Sequence, residues 1–296
     1  MTPGTDPELV IAGGPPVQVA LDLGAAALRD AGIRDPQVDA EWLLAEALGI
    51  ARSRLVLHGQ QPLEPGAAVR YLAWLRRRIA REPLQHIVGS QAFRDLTLTV
   101  SGQALVPRPE TELLAGWAVE LLAGARTPRV IDVGTGSGCI ACAIAAECPQ
   151  ARVIAVDVSP AAVSLARANV AGLGLTRRVT VLASDLLTAL APGRADLIVS
   201  NPPYLPSEVI AVLAPEVSRY DPRLALDGGA DGLDVIRRLV EQAPRCLAPG
   251  GRILLETAGG EQLLDAVALL GARGFARIET RPDLAGIERF VAGGLV

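Results

Sequence analysis

Apolar residues recur every three to four positions through the first part of the chain and then shift to short unbroken runs separated by turn residues. Val17, Leu21, Gly24 and Leu28 share one helical face, and Gly32 stands where a helix would close. Asp35-Pro36 opens a second helix, with Val38, Trp42, Ala45 and Leu48 in phase, and Gly49 ends it. After a short segment at Arg52–Leu57, a further helix is expected from about Pro65 to Arg81. One of its faces carries Val69, Leu72, Leu75 and Ile79. The other carries Arg70, Trp74, Arg77, Arg78 and Arg81, which is either a solvated surface or a contact for an acidic or nucleic-acid partner. No strand pattern interrupts this stretch, so a small helical domain is expected over 17–82. Residues 1–16, rich in Gly and Pro, are expected to form a disordered tail.

The period changes at Glu82-Pro83. His86–Phe93 and Leu96–Val100 read as two strands joined at Arg94-Asp95, a hairpin linker over 83–105. After Pro107-Arg108-Pro109 a helix is expected from Glu110 to Ala123. Strands then alternate with helices over 106–296, the signature of an α/β domain with a largely parallel sheet. The strands are expected at Val130–Val133, Val153–Val156, Val179–Leu182, Asp196–Ser200, Arg252–Glu256, Ala276–Glu279 and Arg289–Val291.

Composition narrows the chemistry. At 296 residues and 50% hydrophobic, the chain can bury a large core. Its net charge of −4 argues against non-specific coating of nucleic acid, and no stable nucleic-acid binding is expected. No run approaches the ~18 apolar residues of a membrane span, and no signal-peptide pattern opens the chain, so a cytoplasmic monomer is expected. Cys139 and Cys142 form a C-x-x-C, which reads as two small side chains on a packed helix; no metal site is expected.

Two loops carry the candidate chemistry. Val130–Val133 runs into Gly134-Thr135-Gly136-Ser137-Gly138, where glycines allow positive φ and close approach of a ligand. The spacing admits a dinucleotide or an adenosyl cofactor. Asp157 ends the next strand, where a carboxylate either accepts from ribose hydroxyls or caps the following helix; Asp185-Leu186 follows the third. All three lie at carboxyl ends of successive strands, where open α/β sheets bind ligands. The second loop is Asn201-Pro202-Pro203-Tyr204, at the end of an apolar strand. Its prolines fix the backbone and remove N–H donors, leaving carbonyl oxygens and an amide for a planar NH2 group, with the Tyr204 ring as a flat neighbour.

Asp132-Val133-Gly134-Thr135-Gly136-Ser137-Gly138, the acid at Asp157 and the Asn-Pro-Pro-Tyr sequence resemble class I S-adenosylmethionine-dependent methyltransferases acting on planar nitrogens. Further motifs resemble the HemK/PrmC group, the release factor glutamine methyltransferases. These are Glu82–Gly89, Phe93, Val106–Glu112, Tyr220-Asp221-Pro222, Ala225–Asp234 and Asp283–Gly286. The resemblance runs from about Val17 to the end. Pro109-Glu110-Thr111-Glu112 favours release factors over a ribosomal protein as substrate. Leu186 departs from the large aromatic often found there, and Thr257-Ala258-Gly259 departs from the usual pairing after Glu256.

The resemblance implies a Rossmann-like seven-stranded sheet with helices on both faces and its last strand antiparallel. It implies methyl transfer from S-adenosylmethionine, leaving S-adenosylhomocysteine, to the glutamine of the Gly-Gly-Gln loop of class I peptide chain release factors. Asn201, Pro202 and Tyr204 would be catalytic. The substrate would meet Asn201, Pro202, Pro203, Tyr204, Phe93 and Pro107. The cofactor would meet Gly134, Thr135, Gly136, Ser137, Gly138, Asp157, Asp185, Leu186 and Asn201. The helical domain would dock the release factor. An adenine N-methyltransferase and a non-catalytic cofactor-binding module remain the alternatives.

Overall fold

The computed structural model describes residues 7–296, which divide into two compact units. The smaller unit is helical: α1 (Pro7–Ala12), α2 (Val17–Asp30), α3 (Pro36–Leu48), α4 (Leu55–His58), α5 (Pro65–Ile79) and α6 (Leu84–Val88). The later segment Pro215–Tyr220 groups with it. Pro36 and Pro65 open their helices at the first turn, where a missing N–H costs nothing. Gly49 closes α3 in the left-handed conformation, its N–H bonded to carbonyls of the last turn.

Three expectations change in this unit. Residues 7–12 form a helix rather than a tail, because Ile11 has a place in the helical core and is only 2% exposed; residues 1–6 lie outside the described ones. His86–Val88 is helical rather than a strand, since Pro83 precedes a single helical turn that Gly89 ends at φ 81°. The arginine stripe on α5 is committed inside the unit. Arg78 is buried between Asp39 (2.7 Å) and Glu216 (2.9 Å), Arg81 pairs with Glu216 at 2.8 Å, and Arg77 pairs with Glu82 at 2.6 Å. Arg70 donates to the Ala47 carbonyl at 2.6 Å.

The larger unit begins with the hairpin β1 (Ser90–Phe93) and β2 (Leu96–Thr99), which turns at Arg94 with φ 52°. Then follow α7 (Pro109–Leu121), β3 (Arg129–Val133), α8 (Cys139–Glu147), β4 (Arg152–Asp157), α9 (Pro160–Gly172), β5 (Val179–Ala183) and β6 (Ala195–Ser200). After the segment α10 (Pro215–Tyr220) come α11 (Asp234–Cys246), β7 (Leu247–Glu256), α12 (Gly260–Ala272), β8 (Phe275–Pro282) and β9 (Glu288–Leu295).

The sheet has seven strands in the order β5-β4-β3-β6-β7-β9-β8. Strands β3 to β7 are parallel, and the last strand, β9, runs antiparallel between β7 and β8, as expected. One face is covered by α7, α8, α9 and the hairpin, with Trp117, Leu114 and Ile144 in its core; α11 and α12 cover the other, around Ile236, Leu239 and Leu270. Burial on both faces explains why β3, β6 and the end of β7 read as continuous apolar runs. The strand order reverses between β3 and β6, which opens a crevice at their carboxyl ends. Among the described residues no helix is long and apolar enough to cross a membrane.

Candidate active site

A cavity of about 320 Å³ lies at that crevice, within the range of small-ligand sites. Its wall includes Gly134–Ser137, Asp157, Asp185, Leu186 and Asn201–Pro203, with Pro107, Arg108 and Thr111 alongside. Most of the residues picked out from the sequence therefore meet on one surface.

The turn after β3 is built on Asp132, which is fully buried. Its Oδ2 accepts from the Thr135 hydroxyl at 2.6 Å and from the Ala141 N–H at 3.1 Å, tying the turn to the start of α8. Burial pushes this carboxyl up to about 7, against those two hydrogen bonds. Its Oδ1 and the Ser137 hydroxyl are buried with no partner inside the protein. Gly134 and Gly136 hold φ of 69° and 55°. Gly138, also at positive φ, is not on the cavity wall: a Cβ there would meet Ala166 of α9 at 3.3 Å, so it serves helix packing instead.

Asp157 ends β4 and joins both readings offered by the sequence. Its Oδ2 accepts from the Gly136 N–H and its Oδ1 from the Ser159 N–H, each at 2.9 Å, while Ser159 itself caps α9. Burial raises its pKa, partly offset by these backbone donors. Asp185 is half-exposed and ion-paired with Arg238 of α11 at 2.6 Å. Leu186 follows at φ 50°.

The Asn-Pro-Pro-Tyr corner follows β6, where the Ser200 hydroxyl donates to the Val133 carbonyl at 2.7 Å across the switch point. Asn201 Nδ2 donates to Thr111 Oγ1 at 2.9 Å, and Thr111 Oγ1 donates to Glu256 Oε2 at 3.0 Å. Gln262 of α12 donates to the Tyr204 carbonyl at 2.8 Å. Arg108 pairs with the buried Asp221 at 3.0 Å, which joins the Pro107-Arg108-Pro109 and Tyr220-Asp221-Pro222 motifs.

Two residues expected on the substrate path are not on the cavity wall. Phe93 is fully buried in the core among hairpin, α7 and α8 side chains, because the alternation along β1 turns it inward. The Tyr204 ring packs against the core on the α11–α12 face and is not on the cavity wall. Conversely, sequence reading gave no role to Asp132, Thr111 or Glu256. Each was visible inside a quoted motif or at a strand end, but their joint function depends on contacts between distant segments. The four cysteines are free and buried, and burial pushes the Cys142 thiol up to about 12. Among the described residues no cluster could hold a metal ion.

The chain matches two family models, the PrmC N-terminal domain over residues 20–89 and the methyltransferase small domain over residues 111–214. A release factor glutamine methyltransferase of Deinococcus radiodurans is 47% identical over 278 residues, covering 93% of this chain and 98% of that protein. One of Cereibacter sphaeroides is 44% identical over 276 residues, covering 93% and 97%. Among solved structures, the hMettl16 catalytic domain bound to an RNA hairpin superposes with a TM-score of 0.57 at 18% identity, covering 81% of this chain and 85% of that one. That last likeness speaks to the fold alone.

Proposed function

The chain belongs to the release factor glutamine methyltransferases, and from that membership we propose that it methylates the side-chain amide nitrogen of a glutamine in class I peptide chain release factors. The target is the glutamine of the Gly-Gly-Gln loop, the reaction takes place in the cytoplasm, and it modulates translation termination. The helical unit docks the release factor; within the Arg70–Arg81 stripe, Arg77, Arg78 and Arg81 are paired internally.

The residues around the Gly-rich turn suit S-adenosylmethionine. Each Asp157 oxygen accepts one backbone N–H and keeps lone-pair capacity for a ribose hydroxyl. The Ser137 hydroxyl, buried without a partner, belongs to a residue of the cavity wall, where a ligand or ordered water would satisfy it. Gly134, Thr135, Gly136, Asp157, Asp185 and Leu186 would hold the cofactor. When bound, it supplies a methyl group activated by a sulfonium.

The protein's part is positioning. Asn201 Oδ1 and the Pro202 carbonyl accept the two N–H bonds of the glutamine amide. This orients the nitrogen and enriches it in electron density, an effect that grows where water is excluded. Prolines 202 and 203 keep the corner rigid, so alignment needs little further ordering. No base is needed beforehand, because the nitrogen's proton becomes acidic only after the new N–C bond forms.

One observation carries this reading: the Asn201 NH2 group is held by Thr111, which leaves its oxygen to accept from a substrate. Labelled-methyl transfer to purified release factor, its Gln→Ala loop variant, DNA and ribosomal RNA tests it. Label is expected in the intact factor alone. Label in nucleic acid and none in the factor overturns the assignment. Asn201→Ala should keep cofactor affinity within a few-fold while slowing transfer by at least ~100-fold, comparable to losing one oxyanion-hole donor.

A further inference from the structure

Glu256 ends β7 and is 1% exposed. It accepts a hydrogen bond from Thr111 Oγ1 at 3.0 Å. Thr111, 2% exposed, accepts in turn from Asn201 Nδ2 at 2.9 Å. One buried carboxylate thus reaches the Asn201 end of the Asn-Pro-Pro-Tyr corner through a single hydroxyl.

The chemistry of these groups gives the chain of bonds a direction. An ionised carboxylate only accepts, so the single Thr111 proton points at Glu256. Thr111 then shows Asn201 a lone pair, and only the NH2 half of the Asn201 amide can satisfy it. The amide oxygen is therefore turned away from Thr111. A protonated Glu256 permits the reverse: its O–H donates to Thr111, whose proton passes to Asn201 Oδ1, and the amide turns over. The corner would then offer N–H donors to a substrate group that also donates.

We propose that Glu256 is a positioning residue that fixes which half of the Asn201 amide faces the substrate, acting through Thr111. This rests on the reading that Asn201 Oδ1 accepts from the target amide. The surroundings of Glu256 explain why the switch falls at a working pH. Burial pushes its carboxyl up to about 7; Thr111 donates to it, Arg289 of β9 and the neighbouring Tyr204 favour the anion and Glu110 of α7 opposes it. Asp283 anchors Arg289 at 3.0 Å and accepts the Ala285 and Ile287 N–H groups, which gives the Asp283–Gly286 motif a physical role.

The test uses the full chain with Thr111→Val, Thr111→Ser and Glu256→Gln. Thr111→Val keeps the shape and deletes the relay. It should lower kcat at least ~10-fold, less than outright loss of the acceptor, with cofactor affinity within ~3-fold. Thr111→Ser keeps the hydroxyl and should recover most of that loss. In the wild type, kcat should fall as pH drops through about 7, and Glu256→Gln should remove that limb. A second readout needs no substrate: the Asn201 side-chain amide protons, assigned by NMR in isotope-labelled protein, should shift as pH crosses neutrality in the wild type but not in Thr111→Val. Equal rates for Thr111→Val and wild type, or an Asn201 signal indifferent to pH and to Thr111, overturn the relay. A wild type that never methylates release factor would instead sink the functional reading, while the NMR signature would still stand or fall by itself.

Discussion

Gly228 occupies a position where even one methyl group has no room. A Cβ there would lie 2.6 Å from the Gly232 carbonyl oxygen and 2.8 Å from that of Pro203, both backbone atoms. At Gly232, φ is 78° and a Cβ would fall 2.3 Å from the Tyr204 carbonyl oxygen. The glycines of the 225–234 segment therefore let one loop press directly on the backbone of the acceptor corner. Gly228→Ala must displace that corner, and a shift near 1 Å in a positioned group can cost ~100-fold in rate. We expect a loss of that order in methyl transfer with cofactor affinity changed by less than ~5-fold, measured by single-turnover assay and calorimetry. Unaltered turnover would mean that the loop yields instead of the corner. From sequence, this motif was a mark of kinship without a mechanism, because Gly228 and Gly232 are needed for contacts with Pro203 and Tyr204, in a distant segment. Phe93 failed in the opposite direction: an aromatic in a family motif was expected at the substrate entry, and packing put it in the core.

At the level of elements, periodicity was enough to find the main helices and all seven strands of the sheet, the central ones as apolar runs buried on both faces and the edge strands by their place between turn residues. It failed for short segments. Five residues at Leu84–Val88 make too little of a pattern to separate a helical turn from a strand, and the six-residue α1 depends on the helical core beneath Ile11. It was also blind to pairing between helices. The apolar α2 face includes Gly24 because Tyr71 of α5, fully buried, lies against it: a Cβ at Gly24 would fall 2.0 Å from the phenol oxygen. Gly24→Ala should improve helix propensity by ~1 kcal/mol yet destabilise the helical unit by about 1–3 kcal/mol through overpacking. Denaturant unfolding of this variant, alone and combined with Tyr71→Phe, checks it. The double variant should recover part of the loss, since it removes the nearest atom and a buried hydroxyl that has no partner. A stabilised Gly24→Ala would show that Tyr71 swings aside.

Across the whole larger unit, the carboxyls that build the site work against its stability. Burial lifts Asp132 and Glu256 to about 7 and Asp221 to about 6, well above the values of an unfolded chain. Between about pH 4 and pH 7 the folded state therefore holds protons that the unfolded state has released, so stability must decline as pH rises through that window and level off above it. Carboxyls held low by partners, such as Asp227, Asp231 and Asp283, contribute the opposite slope. Their stabilisation is present above the unfolded value near pH 4 and disappears below it. The thermal midpoint should accordingly peak near about pH 4, fall as pH rises to about 7 and change little from there to pH 8. Methyl transfer should rise over the same upper interval as Glu256 becomes the acceptor-only anion. Midpoints measured across that range by calorimetry decide the matter, and Glu256→Gln should flatten part of the decline because its amide has no proton to lose. A midpoint that is constant or climbs between pH 5 and pH 8 would mean that these groups are already ionised in the fold. In that case neither the stability slope nor the orientation switch at Asn201 could depend on them.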